Sequence, residues 1–130
     1  MGIFGALGTS ASGLHVYRTW LDAISDNIAN VNTARSTADN AFQARYVVAT
    51  ARAGTNGVDV GGVALGSAQG RVQYEPGNPL ADAQGLVRYP DIDMGEQMTH
   101  LLMAQRAYQA NLSVVSRMTD AYKAALELGK

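Results

Sequence analysis

The sequence contains no cysteine, which excludes disulfides, thiol chemistry and cysteine-ligated zinc without identifying a compartment. It has no surplus of either charge: ten Lys and Arg stand against eleven Asp and Glu, and the basic residues are scattered. Nucleic acid is therefore not expected as a partner, because phosphate binding needs a basic surface. No apolar run is long enough to span a bilayer, so direct membrane insertion is not expected. Residues 1–16 carry no Lys or Arg, and interspersed Gly and Ser dilute their apolar character, so no secretory signal peptide is expected. Ala6 stands where a myristoylation motif wants Ser or Thr. These features fit a cytoplasmic chain, or one exported without a cleaved signal.

Catalytic patterns are missing as well. His15 and His100 are isolated, with no HExxH spacing. Asp91, Asp93 and Glu96 read as a helix start with favourable charge near its dipole rather than as an acid–base or calcium cluster. The glycine-rich stretch Gly57 to Gly70 has neither G-x-G-x-x-G nor a Walker lysine, and Ser25 and Ser113 lie in no nucleophile motif. No cofactor, metal or enzymatic activity is expected.

What is present is a long helical signal in the last third. From Asp93 to Leu128, steps of four and three pick out Met94, Met98, Leu101, Gln105, Tyr108, Leu112, Val115, Thr119, Tyr122 and Leu126. This is the heptad pattern by which helices pack side by side. No Pro or Gly falls between Glu96 and Leu128; Asp93 is placed to cap the first turn, with Glu96 placed to reach back, and Gly129 follows the last turn. Such a helix spans roughly 50 Å. Met103, Ala107, Ala110, Val114, Ala121 and Ala124 make a second, small-residue surface. A helix apolar over most of its circumference expects neighbours on several sides, so Ala107, Ala110, Val114, Ala121 and Ala124 are the expected subunit interface.

Residues 3–31 give a second heptad reading, with Leu7, Leu14, Leu21 and Ile28 at one position and Ser10, Tyr17, Ile24 and Val31 at the other. Gly5, Gly8 and Gly13 each cost about 1 kcal/mol relative to Ala, so this segment is expected to be helical only when packed. Arg18 and Asp22, one turn apart, are expected to pair. Asn27, Asn30 and Asn32 crowd the end, where Asn tolerates the left-handed conformation that closes a helix. The expected helix-pairing residues are Leu7, Leu14, Leu21, Ile24 and Ile28 against Leu101, Tyr108, Leu112, Val115 and Tyr122.

The middle, residues 34–90, changes character. Phe42, Ala44, Tyr46, Val48 and Thr50 alternate with Gln43 and Arg45, which reads as a half-buried strand. Val58 and Val60 precede the breaker Gly61-Gly62, and Val63 and Leu65 follow it; Arg71 to Tyr74 and Leu86 to Tyr89 are further short strands. Pro76-Gly77 and Asn78-Pro79 mark turns. Ala34 to Ala41 is expected to be an exposed loop. The fold class is therefore α+β: long N- and C-terminal helices packed as an antiparallel coiled-coil-like pair, with a small β-rich insertion between them. The expected divisions are 1–33, 34–90 and 91–130.

Three strings carry a family resemblance. Ile24-Ser25-Asp26-Asn27-Ile28-Ala29-Asn30-Val31-Asn32-Thr33, preceded by Ser12-Gly13-Leu14 and Arg18-Thr19-Trp20-Leu21-Asp22, resembles the N-terminal motif of the bacterial flagellar rod, hook and hook-associated proteins. Arg106-Ala107-Tyr108-Gln109-Ala110-Asn111 is similar to the C-terminal helix motif of the same axial family. Tyr74 to Gly85 with Val87-Arg88-Tyr89-Pro90 looks like its short proximal-rod members in particular, although Leu86 replaces an aromatic residue and Asp91 an Asn. The resemblance implies that Asn27, Asn30, Asn32, Arg106, Tyr108 and Asn111 are axial-motif positions. It also implies a structural subunit of the proximal rod of the flagellar basal body, exported through the flagellar type III apparatus and polymerising in the periplasm into a torque-transmitting shaft with a central export channel. The implied partners are further copies, proximal and distal rod subunits and the adaptor between rod and MS ring. Another short rod component, or a soluble helical secretion chaperone or adaptor, are the alternatives.

Overall fold

The computed structural model describes residues 2–54 and 56–129. Two long helices bracket four short strands: α1 (Ile3–Asn30), β1 (Arg45–Ala51), β2 (Val58–Leu65), β3 (Arg71–Tyr74), β4 (Leu86–Tyr89) and α2 (Met94–Leu128). The helices run antiparallel. Phe4, near the start of α1, meets Tyr122 near the end of α2, while Asn27 bonds Gln97 in the first turns of α2. This is the α+β arrangement expected from the sequence.

The Asp93 carboxylate accepts the Glu96 N–H at 2.8 Å and starts α2. At the end of α1 the asparagines act differently from expectation. No non-glycine residue among those described has positive φ, so none adopts the left-handed conformation. Instead the Asn30 side chain donates to the Asp26 carbonyl at 2.8 Å and accepts from the Thr33 hydroxyl at 3.1 Å, closing the helix through local bonds. The expected Arg18–Asp22 pair is also not made: the ion pairs among the described residues are Arg45–Asp26 and Arg52–Asp59, both on solvated surface.

The strands form two separate antiparallel hairpins, β1–β2 and β3–β4. The Gly61-Gly62 pair does not break β2. The register slips there, with Val48 opposite Gly62 and Ala49 opposite Val60, so Gly61 is the extra residue of a bulge. A Cβ at Gly61 would collide with the Thr50 side chain, which is why this position takes glycine. The phase of β1 also differs from expectation. Val47 and Ala49 face α1, while Tyr46 and Val48 are exposed. Ala44 is buried and Phe42 half-buried, but they precede the strand and pack in the junction core, so their alternation does not carry into β1.

Residues 34–41 are tied down rather than free. Arg35 and Arg88 exchange backbone bonds of 2.8 and 2.9 Å, the Thr37 hydroxyl donates to Asp82 at 2.7 Å, and the Arg88 guanidinium donates to the Thr37 and Gln69 carbonyls. The buried apolar cluster lies where the three parts meet: Val31 after α1, Ala44 before β1 and Ile92 before α2, with Phe42 against them. Val87 on β4 is fully buried. The core is thus concentrated at one end of the helix pair, and the far ends of both helices project from it.

Candidate assembly interface

Side chains along the helix seam are smaller and more polar than the leucine stripes suggest. The contacts of α1 on α2 run through Gly13, Trp20 and Asn27, spaced by sevens, which meet Asn111, His100 and Gln97. Gly13 lets the Asn111 amide come so close that a Cβ there would sit 3.1 Å from its Nδ2. Trp20 stacks on His100 with ring centroids 5.8 Å apart. Ala104, with no exposed surface, lies between these contacts. In each helix one of the two expected heptad positions is thus displaced by one residue. Gly13, Trp20 and Asn27 replace Leu14, Leu21 and Ile28, while Gln97, Ala104 and Asn111 replace Met98, Gln105 and Leu112. Close approach of two backbones favours small side chains, which a count of apolar residues passes over.

The expected pairing residues divide accordingly. Ile24 is buried, while Leu14, Leu21, Ile28, Leu101, Tyr108 and Val115 are half-buried. Leu7 lines a small apolar groove of about 180 Å³ with Met118 and Tyr122. Leu112 is 49% exposed and lies off the seam. Of the expected subunit-interface residues, Ala107 is half-buried and Ala110, Val114, Ala121 and Ala124 are exposed.

The Asn27 side chain makes three hydrogen bonds. Its Oδ1 accepts the Arg45 N–H at 2.8 Å, and its Nδ2 donates to the Arg45 carbonyl and to Gln97 Oε1, both at 3.0 Å. Asn32 and Arg106 are exposed, and Asn111 is half-buried beside Gly13. Ser12, quoted for its place in a motif and assigned no role, is buried. Its hydroxyl donates to the Thr9 carbonyl at 2.7 Å and accepts the Val58 N–H at 3.1 Å. The signal for it was its position beside Gly13, since a small polar residue on an inward helix face implies a backbone close by.

A groove of about 430 Å³ lies between α1 and the first hairpin, with Val16, Tyr17, Trp20, Val47 and Ala49 on its walls and Asn111 at its rim. Its lining is mainly apolar, and Tyr17 is its one titratable residue. Among the described residues no three His, Asp or Glu side chains gather where a metal ion would sit, and no helix is long and apolar enough to cross a membrane. The largest feature of the surface is instead α2 itself. Of its 35 residues only Gln97 and Ala104 are buried, and Leu102 and Met103 are 56% and 54% exposed.

Comparison with known proteins decides the family. The model of the flagella basal body rod protein matches residues 7–35, and that of the flagellar basal body rod FlgEFG protein C-terminal region matches residues 83–128. The flagellar basal-body rod protein FlgC of Escherichia coli O6:H1 is 32% identical over the whole of both chains. The chain belongs to the FlgC family of flagellar basal-body rod proteins. FlgC of Agrobacterium fabrum is 36% identical, covering 93% of this chain and 91% of its own, and FlgC of Bacillus subtilis is 28% identical over both full lengths. As a member of the FlgC family the chain is a structural rod subunit. The two matched segments contain the seam: Gly13, Trp20 and Asn27 fall in the first, and Gln97, Ala104 and Asn111 in the second. Most of the hairpin region between them lies outside both.

Proposed function

We propose that this rod subunit polymerises through α1 and α2 with further copies and with other flagellar rod proteins, to form part of a torque-transmitting shaft around an export channel. In this reading it leaves the cell interior through the flagellar type III apparatus without a cleaved signal and assembles in the periplasm. Proximal and distal rod subunits and the adaptor to the MS ring are its neighbours. The observation that carries the reading is the bareness of α2, which leaves Leu102, Met103, Leu112, Val114 and Leu126 exposed in one chain. Apolar surface of this extent marks a protein contact, and among the described elements α2 packs closely on α1 alone.

The test uses two substitutions off the internal seam. Leu112→Asp introduces a charge that an assembled neighbour would bury without a partner. Ala110→Gln introduces an amide that would overpack the same neighbour, at roughly 1–3 kcal/mol per contact. Both variants are expected to keep the wild-type circular dichroism as isolated chains and to be exported. Both are expected to be missing from purified basal bodies. Incorporation at wild-type level would remove this surface of α2 from the assembly.

A further inference from the structure

Two polar side chains of α1 grip the first hairpin at its two ends. At the root, Asn27 bonds both backbone groups of Arg45, the first residue of β1. At the tip, Ser12 accepts the N–H of Val58, the first residue of β2. Both attachment points have ladder positions whose backbone groups point away from the partner strand. The Gly66 N–H donates to the Ala44 carbonyl and the Arg52 N–H to the Gly57 carbonyl, which makes Arg45–Leu65 and Ala51–Val58 the pairs without mutual bonds. The Arg45 groups therefore face out from the β1 edge and the Val58 N–H from the β2 edge. Ser12 and Asn27 hold opposite edges of one hairpin.

The spacing fits. Along α1, Ser12 and Asn27 are about 22 Å apart at the helical rise, and the six steps from Arg45 to Ala51, the partner of Val58, extend about 20 Å. Each anchor also adjoins a contact with α2. Gly13, next to Ser12, receives Asn111, and Asn27 itself donates to Gln97. The hairpin packs chiefly on α1, and the bond from Asn27 to Gln97 joins the seating of α2 to that of the hairpin root. Asn27 and Gln97 are each 1% exposed. Among the described residues the Nε2 of Gln97 has no hydrogen-bond partner, and the Asn27 amide is the partner of its Oε1.

We propose that Ser12 and Asn27 are positioning residues that brace the β1–β2 hairpin at a fixed angle on the helix pair, with Gln97 coupling the seating of α2 to the hairpin root. Two anchors on opposite edges stop the hairpin from rolling about α1, which one anchor would permit. The part of the subunit that projects from the helices is thereby held rigidly to them. In this reading the motif residues Ser12, Gly13 and Asn27 work inside the subunit.

The experiment measures amide hydrogen exchange, residue by residue, on the full-length chain and three variants. Gln97→Met keeps length and volume while removing the acceptor of Asn27 together with the unpartnered donor. Exchange at the Arg45 amide is expected to rise about tenfold, the equivalent of one ordinary hydrogen bond, although Gln97 does not touch Arg45. Ser12→Ala is expected to raise exchange at Val58 by a similar factor and to leave Arg45 unchanged. In Asn27→Ala, adding Gln97→Met is expected to change Arg45 no further. The emission of Trp20, the single tryptophan, checks that α2 still covers it in each case. If Gln97→Met leaves Arg45 at the wild-type rate, or its effect adds fully to that of Asn27→Ala, the coupling is wrong. If Ser12→Ala leaves Val58 unchanged, the brace has only one end. Should Asn27→Ala fail to fold, the Gln97→Met and Ser12→Ala arms still decide. All arms are read without rod assembly, so they fail or succeed independently of the polymerisation proposal.

Discussion

Single residues in this chain are set by the hydrogen bonds that converge on them. Asp82 is the clearest titratable case. Its carboxylate accepts the Leu86 and Gln84 N–H groups at 2.9 and 3.0 Å and the Thr37 hydroxyl at 2.7 Å, and these bonds, that of Leu86 first, hold it below the ordinary carboxylate range. The folded value thus lies below the unfolded one. The resulting stabilisation is complete above the ordinary range and is lost as pH falls through the depressed value. Asp82→Asn keeps the shape and removes the charge. The difference in thermal midpoint between wild type and this variant should be constant near neutral pH and shrink on acidification. A difference that stayed constant into acid would remove Asp82 from the acid response. The readings of residues in the sequence were uneven. Asp93 as a cap was legible because capping is local. The role of Asn27 was not, because Arg45 and Gln97 lie far from it in the chain.

Among the elements, the two helices differ in what supports them. α1 is packed on the first hairpin and on α2, whereas α2 has α1 alone. Support also fades along α2, since every residue from Thr119 to Gly129 is exposed. Ile3, Phe4 and Gly5 at the facing end of α1 are exposed too. Local opening follows low burial, so amides of residues 97–111 should exchange slowly in the isolated chain and those after Asp120 quickly. In rods, the same late amides should be protected. Uniform protection along α2 of a dilute monomer would show that its last turns need no neighbour. The boundaries of α2 were legible, because an uninterrupted run of good helix formers between a cap and a glycine leaves little choice. The bulge in β2 was not: Gly61-Gly62 is equally consistent with a break, and only the pairing register with β1 distinguishes the two.

At the scale of the whole molecule, the buried core at the junction of α1, β1 and α2 contrasts with the apolar surface left along the helices. A chain with this distribution is expected to self-associate as concentration rises, because the exposed apolar flank of α2 is the surface available for burial. Sedimentation of the purified chain should show concentration-dependent oligomers, and Leu102→Asp should shift them towards monomer while leaving helix content unchanged. Leu102 is 56% exposed, so its replacement costs the single chain little. Equal self-association in the variant would place the contact elsewhere.

The sequence by itself determined where the helices run and that short strands lie between them, that the helices come from the two ends and return on each other, and which family the chain belongs to. These depend on local preference, on periodicity and on strings of residues, all of which are present before folding. The tertiary structure alone decided which side of each helix forms the seam, which face of β1 turns inward and what Ser12 and Asn27 hold. Gly13, Ala104, Asn27 and Gln97 are buried in the seam, with leucines only half-buried beside them. Small side chains let backbones approach, and buried amides must find partners wherever the fold brings them. Neither requirement leaves a periodic trace in hydrophobicity.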